Sequence, residues 1–345
     1  MARRLYLRGG GIRALRIAAV APALFCAACL FAFPRPGQTE TAPQAAPLRS
    51  STEIVKIDVS VLDSRGQFTE SLEQSDFRVL DNGVERSLVF FAPEEYPARI
   101  LVLVETGPAV YLIHDEHLSA LYALADGLAP GDQIALAAFD QTPRLLLPFT
   151  ADRASILSAV DSLQYSIGMG DLHFYDAVSS ALDWMEAAPG KKSLLTLATG
   201  LDTTPPANWD RLRERMARED AVVFAVALGE SLRGGPKKKP KASANKSGAP
   251  PGATAEKTPF EKADEGLNTL AAVTGGKAYF PRTAADFAPI YREIASALRH
   301  QYVLGIRAAG DGEFHKLTVE LAAEKSQAKD AHRILAREGY RAPSP

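Results

Sequence analysis

Cysteine is nearly absent from this chain of 345 residues: there are two, Cys26 and Cys29, both inside one apolar segment near the start. The rest therefore has no disulfide framework and no thiolate chemistry. A G-x-S-x-G phrase is missing, and no His sits beside a nucleophile in a recognisable catalytic arrangement, which sets hydrolytic chemistry aside. "GLDTTPP" and "VTGGKA" contain glycine without the spacing of a phosphate-binding loop. No internal repeat is visible. Residues 1–33 contain no acid but five arginines, and leaving them out takes the formal charge from -2 to -7. A mildly acidic remainder argues against nucleic acid as the main partner.

The first segment reads positive, apolar, polar: arginines at 3–16, then "IAAVAPALFCAACLFAF", then "PRPGQTETAPQAAP". That is the order of an export signal. We expect residues 1–33 to be a signal peptide or a membrane anchor, since about 17 apolar residues just suffice to span a bilayer. Residues 34–52 read as a linker, and the remainder is expected outside the cytoplasm, periplasmic or secreted. "RRLYLR" resembles a twin-arginine export signal, and Cys29 after two alanines resembles a lipoprotein acylation site.

From Ile54 the pattern alternates: Val55, Ile57, Val59 and Val61 against Lys56, Asp58 and Ser60, a strand with one wet face. Phe77 and Val79 run into Asp81-Asn82-Gly83, a hairpin turn, and the chain returns along Leu88 and Phe90. Residues 53–92 form a small β-unit too slight to stand alone.

Beyond Arg99, apolar strands at 100–104, 133–138, 193–198 and 221–228 alternate with helical patterns at 115–128, 151–163, 174–187 and 207–219. Near-continuous Val, Ile, Leu and Ala mark strands buried on both faces. The fold class is α/β, a doubly wound, mainly parallel sheet. "PRLLLPFT" reads as an antiparallel edge strand. Residues 231–263 hold five lysines between Lys237 and Lys246 and hardly an apolar anchor, so we expect disorder. A helix at 264–274, a short strand at 277–280 and a helix near 284–300 follow. Strands at 301–308, 314–323 and 332–339 close the chain, and 301–341 should pair with the N-terminal unit into a sandwich.

Several phrases carry a resemblance: "RILVLVETG", "GDQIALAAFDQTPRLLLPFTADRASILSAVDSL", "HFYDAVSSAL", "KKSLLTLATGLD" and "AVVFAVALG". In order and spacing, residues 99–300 resemble the von Willebrand factor type A domain. The flanks, "VSVLDSRGQFTESLEQSDFRVLDNG" and "HQYVLGIRAAGDGEFHKLTVEL", resemble an exported bacterial subfamily described for acidobacteria and their relatives. The resemblance implies an adhesion-type module that binds a protein partner at the carboxyl ends of the sheet strands. It also implies a magnesium site there, built from a D-x-S-x-S loop, a Thr and an Asp, with one position left for an acidic group of the partner.

Carried over residue by residue, the Asp position falls on Glu105, the two Ser positions on Gly107 and Ala109, the Thr on Leu172 and the final Asp on Thr199. Gly, Ala and Leu cannot ligate magnesium, which needs hard oxygens in near-octahedral geometry. We expect a degenerate site that holds no metal and no cofactor, in a non-enzymatic module. The partner-binding crevice is then Glu105, Thr106, Asp171, Thr199 and Asp202. Alternatively, Glu105, Asp171 and Asp202 hold a divalent ion in a non-standard way; failing that, Asp171 and Asp202 cap the helix starts that follow them, and the amides of Thr106–Val110 meet the Glu105 charge. A third reading makes the crevice the active site of an enzyme. "HDEH" at 114–117 invites zinc but reads as exposed first-turn residues, and His173, His300, His315 and His332 are scattered and have no assigned role.

Overall fold

A computed structural model describes residues 53–168, 170–186, 191–219, 221–233, 257–322 and 332–344. The export segment, the linker and the lysine run therefore lie outside the described residues. Among those described, no helix is long and apolar enough to cross a membrane.

The chain opens with β1 (Ile54–Leu62), β2 (Phe77–Asp81), β3 (Val84–Arg86) and β4 (Phe90–Glu95). Asn82 and Gly83 join β2 to β3 with φ of 50° and 80°, the left-handed pair that a tight right-twisted hairpin needs. The returning strand ends at Arg86, and this corrects the expected hairpin: Phe90 opens β4, which belongs to another sheet. Val89 N donates to Gly305 O there at 2.8 Å, and Phe91 stacks on Tyr302. Burial of those rings outweighs continuation of the hairpin.

Next come β5 (Arg99–Glu105), α1 (Pro108–Tyr111), α2 (His114–Asp126), β6 (Gln133–Phe139), β7 (Arg144–Thr150) and α3 (Arg153–Asp161). They are followed by α4 (Phe174–Glu186), β8 (Lys192–Ala198), α5 (Pro206–Met216), β9 (Ala221–Ala227), α6 (Pro259–Thr274), β10 (Ala278–Tyr279) and α7 (Phe287–Arg299). The sheet order is β10-β9-β8-β5-β6-β7, parallel except for β7, which runs antiparallel on the edge. Side chains alternate across this sheet into two cores. Val102, Val104, Leu136 and Leu195 meet α2, α3 and α7 on one face. Leu101, Leu103, Ala137 and Leu194 meet α4, α5 and α6 on the other. The helix α7 buries Phe287, Tyr291, Ile294 and Leu298, an i, i+4, i+7, i+11 stripe.

The start of α6 corrects a second expectation. Residues 257–263 belong to the stretch read as disordered, yet Thr258 and Glu261 form a reciprocal capping box with Pro259 at the first helical position. Ser231–Arg233 is likewise a bound turn, with Leu232 N and Arg233 N donating to Gly229 O.

The chain ends with β11 (His300–Arg307), β12 (Phe314–Leu321), β13 (Arg333–Ala336) and β14 (Gly339–Arg341). What reads as one strand at 332–339 is thus two short ones in different sheets. The orders are β13-β1-β11-β4 and β14-β12-β2-β3, every pair antiparallel. Ile57, Val59, Val61, Val79, Tyr302, Leu304, Ile306 and Leu317 fill the space between them. Sandwich strands from both ends of the described chain therefore flank the parallel sheet, and all lie in one compact unit.

Candidate functional site

The sheet order locates a crevice before any side chain is considered. From β5 the chain builds outward through β6 and β7, then crosses back to lay β8, β9 and β10 on the other side. Open α/β sheets bind ligands at such a reversal, beyond the carboxyl ends of the two diverging strands. Those strands are β5 and β8, and the residues there are Glu105 and Thr199.

Glu105 is fully buried. Its Oε2 accepts two hydrogen bonds, from Thr199 N and Thr199 Oγ1, both at 2.7 Å. Its Oε1 has no partner among the described residues. Burial pushes the carboxyl up to about 7, against the opposing pull of the Thr199 hydroxyl and amide and of the Arg233 charge. The Thr106–Val110 amides do not meet this carboxylate, contrary to expectation: Thr106 N donates to Phe139 O at 2.7 Å and Val110 N to Gly107 O at 3.1 Å.

Leu172 closes the crevice from above. Its backbone is pinned by Thr203, which donates from N to Leu172 O at 2.8 Å and accepts Leu172 N on Oγ1 at 3.0 Å. The side chain then drops onto the loop after β5, where a Cβ at Gly107 would stand 2.3 Å from Leu172 Cδ2. Glycine at 107 and leucine at 172 are therefore one packing decision.

Arg233 seals the third side. Its guanidinium donates to Thr199 O at 2.5 Å, to Asp264 Oδ1 at 2.9 Å and to Leu228 O, and it lies 5.0 Å from the Phe260 ring. Sequence reading missed this residue because a window dominated by lysine, proline and glycine hid it; the signal was the Leu232-Arg233 pair directly after a strand.

Of the five residues expected to line the crevice, Asp171 alone is exposed and Asp202 is half-buried. Thr106 is buried with its hydroxyl spent on Phe139 O at 3.0 Å. Asp202 does not cap the helix that follows it, as one alternative had it, but reaches back to the earlier α4: Oδ2 accepts Tyr175 N in the first turn of α4 at 2.9 Å, and Oδ1 accepts Thr204 N at 2.7 Å. Among the described residues no group of three or more His, Cys, Asp or Glu side chains is placed to hold a metal, so Glu105, Asp171 and Asp202 do not converge. The donors also do not suit magnesium. Gly107, Ala109 and Leu172 offer no oxygen, and the single carboxylate is engaged by Thr199.

His117 corrects the reading of "HDEH". It is fully buried, not exposed, with Nδ1 2.6 Å from Tyr165 Oη, and burial depresses its pKa to about 3. A cavity of about 640 Å³ lies at the opposite end, where Arg99, Gln133 and Ser193 of the parallel sheet face Lys56, Asp58 and Glu94 of the sandwich. Lys191 there bridges Asp58 and Glu94 at 3.0 and 3.3 Å, so much of its charge is internally paired.

Residues 113–200 match the family described as "von Willebrand factor type A domain". Residues 113–200, within the parallel-sheet unit, are thus similar to von Willebrand factor type A domains. Domains of this family are protein-interaction and adhesion modules, in general without enzymatic activity. Among solved structures, a von Willebrand factor type A protein from Catenulispora acidiphila is 14% identical, covering 81% of this chain and 76% of its own, with a TM-score of 0.45. BatB from Bacteroides thetaiotaomicron is 15% identical over 58% of this chain and 98% of its own, with a TM-score of 0.42. An aerotolerance-related membrane protein from Bacteroides fragilis is 13% identical over 58% and 96%, with a TM-score of 0.39. At such identity and overlap these likenesses say nothing of what the present chain binds. The comparison with curated proteins returned no match.

Proposed function

We propose that this chain is an extracytoplasmic, non-enzymatic interaction module whose von Willebrand A domain grips a protein partner without a metal ion. The observation that carries the reading is the state of Glu105: fully buried, held by Thr199 and covered where Leu172 meets Gly107. A metal at this place needs several charged or hydroxyl oxygens open to the partner; here the crevice is packed with carbon. The adhesion site is degenerate in this reading, and the partner touches its rim, at Asp171 and Asp202, above the closed Glu105, Thr106 and Thr199. The order of arginines, apolar run and polar linker at 1–52 supports export, with anchorage through the same segment. Residues 53–92 and 301–341 then make a base for a head at 99–300.

Site-specific photo-crosslinking tests this. A photo-reactive amino acid is placed at Asp171 or, as a control, at Lys56 beside the cavity at the opposite end. The full-length chain is then exposed to a cell-envelope extract. A protein crosslinked from position 171 but not from 56, in equal amount with and without EDTA, supports the proposal. Crosslinking from position 56 alone, or loss of the product in EDTA, sinks it.

A further inference from the structure

The rim of the crevice carries apolar side chains that the fold leaves uncovered. Leu112 is 72% exposed, Ile167 79% and Tyr111 49%. They belong to one neighbourhood. Ser166 N donates to Thr106 O at 2.9 Å, Gly170 lies beside Pro108, and the His114 and Tyr165 rings are 5.3 Å apart. Residues 165–168 and Gly170 therefore lie along the turn at 106–114. A single exposed Leu needs no explanation, but three large side chains together at the binding end of a fold do.

Three acids stand at the same end. The Asp115 side chain is fully exposed at the start of α2, Asp171 is exposed before α4, and Asp202 is half-buried after β8. Two of the arginines described there are already engaged. Arg144 pairs with Asp140 at 3.2 Å, and Arg233 is buried against Thr199 O and Asp264. An incoming carboxylate would meet repulsion and find no metal to receive it. A lysine or arginine would lay its stem on the apolar side chains and carry its charge to the acids.

Resting on the interaction role proposed above, we infer that this face grips a segment of the partner in which bulky aliphatic or aromatic side chains are flanked by lysine or arginine. Segments rich in Asp and Glu are rejected. The polarity is opposite to that of a metal-bearing site, which takes an acidic group from its partner.

The probe is a library of random peptides displayed on phage, panned against the immobilised full-length chain in EDTA. Enriched sequences are expected to combine at least two of Leu, Ile, Phe or Tyr with a neighbouring Lys or Arg. Leu112→Ser and Ile167→Ser should each lower their capture by about tenfold, as truncation of a central apolar anchor does. Neither substitution should move the melting temperature, because both side chains are exposed. Phe314→Ser on the sandwich should leave capture unchanged. Asp115→Lys combined with Asp171→Lys should shift enrichment toward acidic sequences. Enrichment of acidic sequences by the native chain, or capture indifferent to both Ser substitutions, overturns the inference. If an envelope protein still crosslinks at Asp171 while the selected peptides are acidic, only the partner chemistry is wrong. If nothing crosslinks at Asp171, the interaction role itself fails.

Discussion

Leu172 occupies the space that a side chain at Gly107 would need, leaving 2.3 Å between its Cδ2 and a Cβ built there. The contact makes substitution at either position depend on the other. Gly107→Ser alone should destabilise by about 1–3 kcal/mol through overpacking. Combined with Leu172→Thr the loss should shrink, giving a non-zero coupling in a double-mutant cycle. Additive effects in urea unfolding would show that the two positions do not share this space.

On the metal-free reading proposed above, the same contact sets a route to metal dependence. Installing Glu105→Asp, Gly107→Ser, Ala109→Ser, Leu172→Thr and Thr199→Asp together should produce a protein whose melting temperature rises with magnesium, following RT ln(1 + [L]/Kd). The native chain should show no such rise. A magnesium-dependent shift in the native chain, reversed by EDTA, would contradict the metal-free reading.

Glu105 also gives the fold a dependence on pH. Its carboxyl titrates near 7 when folded against an ordinary value of 4.5, so the folded state binds the extra proton between those values. Stability from this group is therefore greatest below about pH 4.5 and falls as pH rises to about 7, by on the order of 3 kcal/mol. Glu105→Gln cannot ionise. The stability of this variant relative to the native chain should grow from pH 5 to pH 8 and level off above. Parallel pH profiles for the two proteins would refute the assignment.

A second titration sits in the sandwich. His315 Nδ1 lies 2.6 Å from Asp81 Oδ1, and Nε2 lies 3.0 Å from Asp311 Oδ2. Hydrogen bonding to Asp81, with help from Asp311, raises its pKa above the usual 6.5. A raised histidine contributes stability that is fully present below pH 6.5 and is lost as pH climbs through the folded value. His315→Gln should therefore lower the melting temperature more at pH 6 than at pH 9. An equal loss at both would assign His315 to packing alone.

The lysine run is expected to be dispensable and its margins not. Replacing residues 236–255 by a short Gly-Ser linker should change stability by less than about 1 kcal/mol, since loop length enters only logarithmically. Deleting 231–263 removes Arg233 from Thr199 and the Thr258–Glu261 cap from α6, a cap alone contributing about 1 kcal/mol. Calorimetry on the two deletions separates these expectations.

The architecture was legible in the sequence because its signals are local and repeated. Near-continuous apolar strands between amphipathic helices state a parallel sheet, and Asn82-Gly83 states a hairpin. What failed depended on partners distant in sequence. Nothing near Phe90 says that its strand pairs with Gly305, and nothing near Arg233 says that its guanidinium reaches Thr199 O. His117 looked like one of a polar foursome, and only the packing of Tyr165 from another loop makes it interior. At the crevice, residue types alone told that Gly107, Ala109 and Leu172 bring no side-chain oxygen. That Leu172 fills the vacancy left by a smaller Gly107 needed coordinates.

The parallel-sheet head enters and leaves the sandwich on two neighbouring antiparallel strands, β4 and β11, with Glu95 opposite His300 at the point of entry. A pull on a partner held at the carboxyl-end face would tug both strands from the same end. They would travel as one, with no sliding between them. The tension would pass instead to the next ladder, where β11 runs beside β1 from Ile54 opposite Arg307 to Val59 opposite Tyr302. With the chain held through the segment before Ile54, as proposed above, that ladder would be loaded along its length, so its rungs would give together and not one at a time, the arrangement suited to a tether that holds under strain.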